Sequence, residues 1–247
     1  MRVLVTRPKE DSRDLAEALT DRGHEVLLQP LLIIEPAPLA VPLDLSGIQA
    51  LLFTSANGVR ALAALTAHRD LPVFAVGDAT ARTARAAGFE CVASAGGDVA
   101  DLARLVAARL DPAAGPLFHG AASVVAGDLK GRLEAAGFSI ERRVLYRAEP
   151  VASLAPEVET AWRASTIDAA LFFSPRSVES FAELVRACDL VEAARHCHAM
   201  ALSPAVADRL AELPWTSVRT AERPTTEALL KGLDLLASSS MMGGTGT

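Results

Sequence analysis

The chain predicts an α/β protein made of two similar parallel-sheet α/β domains, the second inserted into the first through two extended connectors. Three observations lead there. Short apolar runs alternate with amphipathic segments along the chain, a set of these elements recurs in order in the second half, and the Pro-rich stretches fall inside the repeats rather than between them.

Taken in order, V-L-V-T (3–6) reads as the first strand. A helix follows through R-D-L-A-E-A-L-T-D-R, with Asp11 or Ser12 as the expected N-cap and Gly23 as its stop. Residues 26–28 form a second strand, and residues 50–54 another whose helix starts near Ala56. Residues 73–76 are a strand leading into a helix through A-T-A-R-T-A-R-A-A that stops at Gly88. D-V-A-D-L-A-R-L-V-A-A-R-L is helical, with Leu102, Leu105 and Val106 on one side.

The second half then repeats the plan. L-F-H-G with L-K-G-R-L-E-A-A-G (117–137) mirrors V-L-V-T with L-A-E-A-L-T-D-R-G (3–23). L-L-F-T-S-A-N-G-V (51–59) is matched by L-F-F-S-P-R-S-V (171–178), which pairs Phe53 with Phe172. F-A-V-G-D-A-T-A (74–81) is matched by M-A-L-S-P-A-V-A (200–207), and the helix around Leu102 by T-T-E-A-L-L-K-G-L-D-L-L (225–236). The join between the repeats, D-P-A-A-G, is short. The extended Pro-rich segments are I-I-E-P-A-P-L-A-V-P-L (33–43) and Y-R-A-E-P-V-A-S-L-A-P (146–156), each after the first strand–helix–strand of a repeat. Two crossings of one boundary predict an insertion. Domain one is then 1–34 plus 151–247, with a flexible tail at 238–247; domain two is 39–146; and 35–38 and 147–150 are the connectors.

Composition narrows the function. With 51% apolar and 22% charged residues, the 247-residue chain has the make-up of a globular protein with a sizeable core. No apolar run reaches the roughly 18 residues of a membrane span, and M-R-V-L-V-T-R-P lacks the core and cleavage site of a signal peptide. The expected setting is the cytoplasm. A net charge of −6 without a Lys/Arg block argues against a nucleic-acid partner and leaves room for an anionic small molecule in a locally positive cleft. Cys91, Cys188 and Cys197 are odd in number and fit reduced thiols. His196-Cys197-His198, if on one strand, would set two imidazoles on one face, but further metal ligands are missing, so no metal is expected.

Ligands of open parallel sheets bind beyond the carboxyl ends of the strands. Those ends are T-R-P (6–8), T-S-A-N (54–57), V-G-D-A-T (76–80), F-S-P-R-S (173–177), L-S-P-A (202–205) and R-P-T-T (223–226). They are rich in Ser, Thr, Gly or Pro, and most lead into a helix, whose free first-turn N–H groups suit an anion. Plain helix capping accounts for any one of them; six on two domains predict a polar, anion-binding cleft. Arg7, Arg82 and Arg176 stand near these ends. The P-loop, the dinucleotide-binding glycine fingerprint, H-E-x-x-H and G-x-S-x-G are all missing. The single tyrosine, Tyr146, falls at the end of a strand where the chain crosses back to domain one, either as an interface packing residue or as a weak acid facing the cleft.

Together T-R-P, P-L-L-I-I-E-P, F-T-S-A-N-G-V, F-A-V-G-D-A-T-A, V-L-Y-R-A-E-P, F-F-S-P-R-S-V and R-P-T-T-E-A-L resemble the uroporphyrinogen-III synthase family, in order and spacing, over about residues 2–236. The resemblance implies two α/β domains on a two-stranded connector and a cyclising lyase of tetrapyrrole (heme) biosynthesis. Its substrate would be hydroxymethylbilane, a linear tetrapyrrole with eight carboxylates, closed to uroporphyrinogen III with inversion of ring D and loss of water. It implies no metal and no organic cofactor. Loss of the ring-A hydroxyl gives an azafulvene, the substituted carbon of ring D attacks it, and the resulting spiro-pyrrolenine fragments and recloses inverted. The unaided bilane closes without inversion, so the catalyst acts by positioning and electrostatic preorganisation.

By matching motifs, Thr6, Arg7, Ser55, Ala56, Asn57, Gly77, Thr80, Ser174, Pro175 and Ser203 would line the substrate cleft, largely through backbone N–H groups. Tyr146 matches the family's linker tyrosine and would assist departure of the hydroxyl. The chain departs from the family's G-P-T-T-A at Ser203-Pro204-Ala205-Val206-Ala207, losing two hydroxyls, and places His119-Gly120-Ala121 where an Arg is common at the strand end. A monomer is expected. The rival readings are a two-lobed small-anion-binding protein without chemistry and a catalytically silent relative.

Overall fold

The computed structural model describes residues 1–38, 43–125 and 127–242. The chain divides into two compact units, Met1–Ile33 with Glu149–Thr247, and Ile34–Ala148. The start expected for domain two falls on residues 39–42, outside the described residues, as do residues 243–247 of the expected tail.

Unit one opens with β1 (Arg2–Val5), α1 (Lys9–Thr20) and β2 (Glu25–Leu28). β3 (Leu32–Pro36) leads into unit two, which holds β4 (Ala50–Phe53), α2 (Ala56–Leu65), β5 (Val73–Ala75), α3 (Asp78–Ala86), β6 (Val92–Ser94), α4 (Val99–Arg109), β7 (Leu117–Ala122), α5 (Leu129–Ala135) and most of β8 (Ile140–Pro150). The return through unit one runs α6 (Pro156–Arg163), β9 (Ala169–Phe172), α7 (Pro175–Ala187), β10 (His198–Ala201), α8 (Pro204–Leu210), β11 (Ser217–Thr220) and α9 (Thr226–Met242).

The unit-one sheet has the order β11-β10-β9-β1-β2, with every pair parallel. In unit two the order is β3-β8-β7-β4-β5-β6, parallel from β8 to β6. Apart from the added β3 these are one arrangement. β1 and β2 correspond to β7 and β8, and β9, β10 and β11 correspond to β4, β5 and β6, which is the doubly wound order with a switch point between its first and third strands. Because the helices cover both faces, the central strands are apolar throughout, as in β4 and β9, rather than alternating.

Each sheet therefore has two cores. In unit one Val3, Val5 and Leu171 pack beneath Leu15 and Leu19 of α1 and Leu229 and Leu233 of α9. Leu4 and Phe172 pack on the other face with α6, α7 and α8. Trp162, Phe172, Phe181 and Trp215 meet there edge to face or stacked, with centroids 4.9–6.0 Å apart. In unit two Phe53, Val59, Leu62, Leu145 and Tyr146 form one core, and Leu52, Leu102, Val106, Leu117 and Leu133 the other.

Several expectations need correction. α1 begins at Lys9, with Pro8 at the N-cap; Ser12 lies within the helix, its hydroxyl donating back to the carbonyls of Arg7 and Pro8. β7 continues through Ala122 instead of ending at His119. Residues 147–150 are extended, as expected of the connector, but belong to β8, so Tyr146 lies within that strand rather than at its end. α9 continues through residues 238–242, where a flexible tail was expected; no Gly or Pro interrupts S-S-S-M-M, and the Ser238 hydroxyl bonds back to Asp234 O at 2.9 Å. His196 closes a 3₁₀ turn while His198 opens β10, so the two imidazoles do not share a strand. Among the described residues no group of three or more His, Cys, Asp or Glu is placed to hold a metal ion, and no helix is long and apolar enough to cross a membrane.

Candidate functional site

The switch point of unit one lies between β1 and β9. Thr6 and Arg7 follow β1, and Phe173 and Ser174 follow β9. Thr6 is turned inward, only 1% exposed, and its hydroxyl donates to Leu171 O at 2.7 Å. What it offers a ligand is backbone. The Arg7 guanidinium lies 4.5 Å from the Phe173 ring centroid, and its Nη1 donates to Thr226 Oγ1 at 3.3 Å. A cation is thus held across the strand ends by an aromatic face and the start of α9. Ser174 caps α7: its Oγ accepts from Ser177 N–H at 3.1 Å and lies 2.8 Å from Ser177 Oγ. Pro175 is the first helical residue, where a missing N–H costs nothing. Ser203, after β10, is the N-cap of α8. α1 starts at Pro8 without a side-chain cap, so no side chain competes for its first-turn N–H groups.

In unit two the switch point lies between β4 and β7. Ser55 caps α2 by accepting from Asn57 N–H at 3.1 Å, and Asn57 Oδ1 accepts from Arg60 Nη1 at 2.5 Å. Ala56 opens α2. Gly77, after β5, is the N-cap of α3 and has no side chain to satisfy the turn; Thr80 is buried one turn in. The Asp78 carboxylate accepts from Ser94 Oγ at 2.7 Å. Thus the structure gathers Thr6, Arg7, Ser174, Pro175 and Ser203 on one carboxyl edge, and Ser55, Ala56, Asn57, Gly77 and Thr80 on the other unit's carboxyl edge.

Tyr146 pairs with Ala122, the last residue of β7, and so stands level with the carboxyl edge of the unit-two sheet. It is 6% exposed and packs in the core with Phe53, Val59 and Leu145. Its carbonyl accepts from Ser123 N–H at 3.0 Å.

A family profile described as uroporphyrinogen-III synthase HemD matches residues 13–231. The chain belongs to the uroporphyrinogen-III synthase family. Among solved structures it is similar to a mutant uroporphyrinogen III synthase from the extremely thermophilic bacterium Thermus thermophilus, at 22% identity and TM-score 0.56, covering 97% of this chain and 99% of that one. It is also similar to the uroporphyrinogen-III synthetase from Helicobacter pylori, at 19% identity and TM-score 0.64, covering 95% and 100%. At these identities the likeness is one of fold. A search of curated proteins finds no match.

Sequence reasoning missed one strand end of this family member. Ser123, Val124 and Val125 follow β7 at the switch point itself, and Val124 is 63% exposed. Every other end is rich in hydroxyls, glycine or proline, whereas A-A-S-V-V reads as more strand, so polarity could not reveal it. The repeat gives only the neighbourhood, since Leu117 aligned with Val3 sets T-R-P (6–8) against residues 120–122, which β7 still occupies.

The fold shifts the protonation of several groups, and most lie away from these turns. Burial lowers the pKa of His24 and His198 and raises that of Cys197, and all three sit at the amino ends of strands. His119 lies within β7, is 2% exposed, and has no hydrogen-bond partner on either ring nitrogen. Burial, then the Arg142 guanidinium, lowers its pKa to about 4. At neutral pH it is an uncharged imidazole shut inside the sheet, not a general base on the rim. The rims carry backbone N–H groups, capped hydroxyls and a fixed arginine, a set suited to holding anionic groups in place.

Proposed function

We propose that this chain carries out the reaction for which its family is named: cyclisation of hydroxymethylbilane to uroporphyrinogen III, with inversion of ring D and loss of water. The observation that carries the reading is the family match across residues 13–231, and the polar strand-end turns in both units support it. A bilane with eight carboxylates needs many distributed anion sites. In this reading each unit supplies one rim of them: Thr6, Arg7, Ser174, Pro175 and Ser203 in one, Ser55, Ala56, Asn57, Gly77 and Thr80 in the other.

The Thr6 hydroxyl donates inward to Leu171 O, while Ser55 Oγ and Ser174 Oγ each accept a first-turn N–H. We therefore assign ligand binding at these turns mainly to the remaining backbone N–H groups, with the Ser55 O–H as a further donor and Arg7 as the fixed positive charge. Replacement of the family's Thr pair by Ala205 and Val206 then removes side-chain contacts and leaves the backbone path intact. Tyr146 is assigned the donated hydrogen bond or proton that eases departure of the ring-A hydroxyl. The chemistry needs no resident cofactor, since the azafulvene, the spiro intermediate and the reclosure all use electrons and leaving groups of the substrate itself. We place the protein in the cytoplasm as a monomer without a nucleic-acid partner, in keeping with its net charge of −6 and its three free cysteines.

The test is incubation with enzymatically generated hydroxymethylbilane and chromatography of the oxidised products. Type III isomer in excess of type I is the expected result. Type I alone overturns the reading in favour of a silent relative or an anion-binding protein. Tyr146→Phe is expected to lower kcat partially, because positioning carries most of the rate; a wild-type rate removes Tyr146 from the mechanism.

A further inference from the structure

Tyr146 faces the α2 side of its sheet because β8 carries one extra residue. The partners run Ile140 with Leu117, Arg142 with His119 and Val144 with Ala121, and then jump to Tyr146 with Ala122. Leu145 is the unpaired insertion, a β-bulge. Regular alternation would place Tyr146 on the face of Arg142 and Val144, under α4 and α5. Instead Leu145 and Tyr146, adjacent in sequence, belong to one core with Phe53, Val59 and Leu62.

Two consecutive large side chains on one face need room, and Gly120 supplies it. A Cβ built on Gly120 would lie 2.8 Å from Leu145 Cδ1 and 2.9 Å from Phe53 Cε1, closer than carbon atoms pack. Leu145 therefore occupies the space that a side chain at residue 120 would fill. The same strand segment receives α2 at close range, since a Cβ on Gly58 would lie 2.6 Å from Gly120 O.

We propose that Gly120 and Leu145 are positioning residues for Tyr146: the bare backbone at Gly120 seats Leu145, and the bulge this permits turns the phenol onto the α2 face at the carboxyl edge of the sheet. The inference rests on the assignment of Tyr146 to the reaction. It explains why a buried residue in mid-strand serves a site on the rim. It also gives the β7–β8 pair a task that the corresponding β1–β2 pair lacks, since β1 and β2 pair in unbroken register from Arg2 with Glu25 to Val5 with Leu28.

The single tyrosine of the chain makes the test direct. Biosynthetic 3-fluorotyrosine places one ¹⁹F reporter in the full-length protein, at residue 146. Gly120→Ala is expected to move its resonance and to lower kcat for type III product by up to roughly tenfold, and no further than Tyr146→Phe lowers it, since it acts through the phenol. Adding Leu145→Val, which withdraws the clashing Cδ1, is expected to return both the resonance and kcat toward wild type. Should Gly120→Ala fail to fold by circular dichroism, Leu145→Ala reads the same contact without added bulk and is expected to shift the resonance. An unmoved resonance in Gly120→Ala, a double variant no nearer to wild type than the single one, or a moved resonance with undiminished turnover each overturns the proposal. If the resonance responds as expected in a protein that yields only type I isomer, the geometric half stands and the synthase reading is what fails.

Discussion

The two units reach one strand order with different materials at the point where that order reverses. Register places Val5 beside Leu28 and Leu171 in unit one; the equivalent register in unit two places His119 beside Arg142 and Leu52. The next strand position is Thr6 in the first and Gly120 in the second, and the facing position on the following helix is Ser177 or Gly58. Unit one closes this junction with hydroxyls, Thr6 to Leu171 O and Ser174 to Ser177. Unit two closes it with bare backbone, Gly58 against Gly120. The difference teaches that topology does not dictate the chemistry of the switch point. Hydroxyl closure builds a self-satisfied rim, whereas backbone closure brings α2 near enough for Phe53 and Leu145 to interlock.

The comparison is tested most severely at its two matched phenylalanines, both fully buried. Phe53→Ala and Phe172→Ala are each expected to cost about 3–5 kcal/mol by urea denaturation. Phe172 should lie at the upper end, because its ring also meets Phe181 at 5.4 Å and Trp215 at 5.6 Å. A larger loss for Phe53 would mean that the glycine-lined junction, not the aromatic cluster, is the less forgiving core.

Next in size is the exchange of valine for histidine. The folded pKa of His119 is about 4 against its ordinary 6.5. Below pH 6.5 the unfolded chain binds a proton that the native state refuses, so stability is whole above that pH and falls as the pH drops toward about 4. Over that window the loss is on the order of 3 kcal/mol. His119→Leu should flatten this part of the stability profile and add about 1–2 kcal/mol at pH 7 by removing two unpartnered buried nitrogens. The reciprocal Val5→His should import the same acid sensitivity into unit one. An unchanged acid profile in His119→Leu would show that the native imidazole binds its proton as readily as the unfolded one.

A smaller effect is expected at the helix–strand approach. Gly58→Ala must displace backbone at Gly120, and overpacking of this kind costs about 1–3 kcal/mol. Ser177, its counterpart, already carries a side chain, so Ser177→Ala should cost only the hydroxyl bond to Ser174, about 1 kcal/mol. Equal losses would mean that α2 shifts freely and that the close approach imposes nothing.

Much of this contrast was legible in the residues. The parallel α/β class followed from buried strands such as A-L-L-F and A-A-L-F set among amphipathic helices. The repeat paired L-F-H-G with V-L-V-T and the two Ser turns with each other, which is the pairing that the registers display. The site residues divide. The caps Ser55, Ser174 and Ser203 were readable, because an N-cap is a local device that needs only a short side chain before a helix. Arg7 stacked on Phe173 was not, since the two are distant in sequence. Nor was the facing of Tyr146, since a one-residue bulge changes which face a side chain takes without altering the composition of the strand. The end of β7 was misplaced for a related reason: Ala121 and Ala122 suit a strand or a turn, and only pairing with β8 decides between them.

The finest test lies in those matched caps. Ser55 accepts one hydrogen bond, from Asn57 N–H at 3.1 Å, on a half-buried turn. Ser174 accepts the equivalent bond from Ser177 N–H at 3.1 Å and also meets the Ser177 hydroxyl at 2.8 Å, with Ser177 itself buried. Removal of an N-cap hydroxyl costs about 0.5–2 kcal/mol. Ser55→Ala should fall near the lower figure, because water can reach Asn57 N–H. Ser174→Ala should fall near the upper one, because it strands two polar groups of Ser177 where solvent does not reach. Combining Ser174→Ala with Ser177→Ala in a double-mutant cycle isolates the hydroxyl pair. If the two cap substitutions cost the same, the hydroxyls of unit one add nothing to its capping, and the two switch points differ in packing alone.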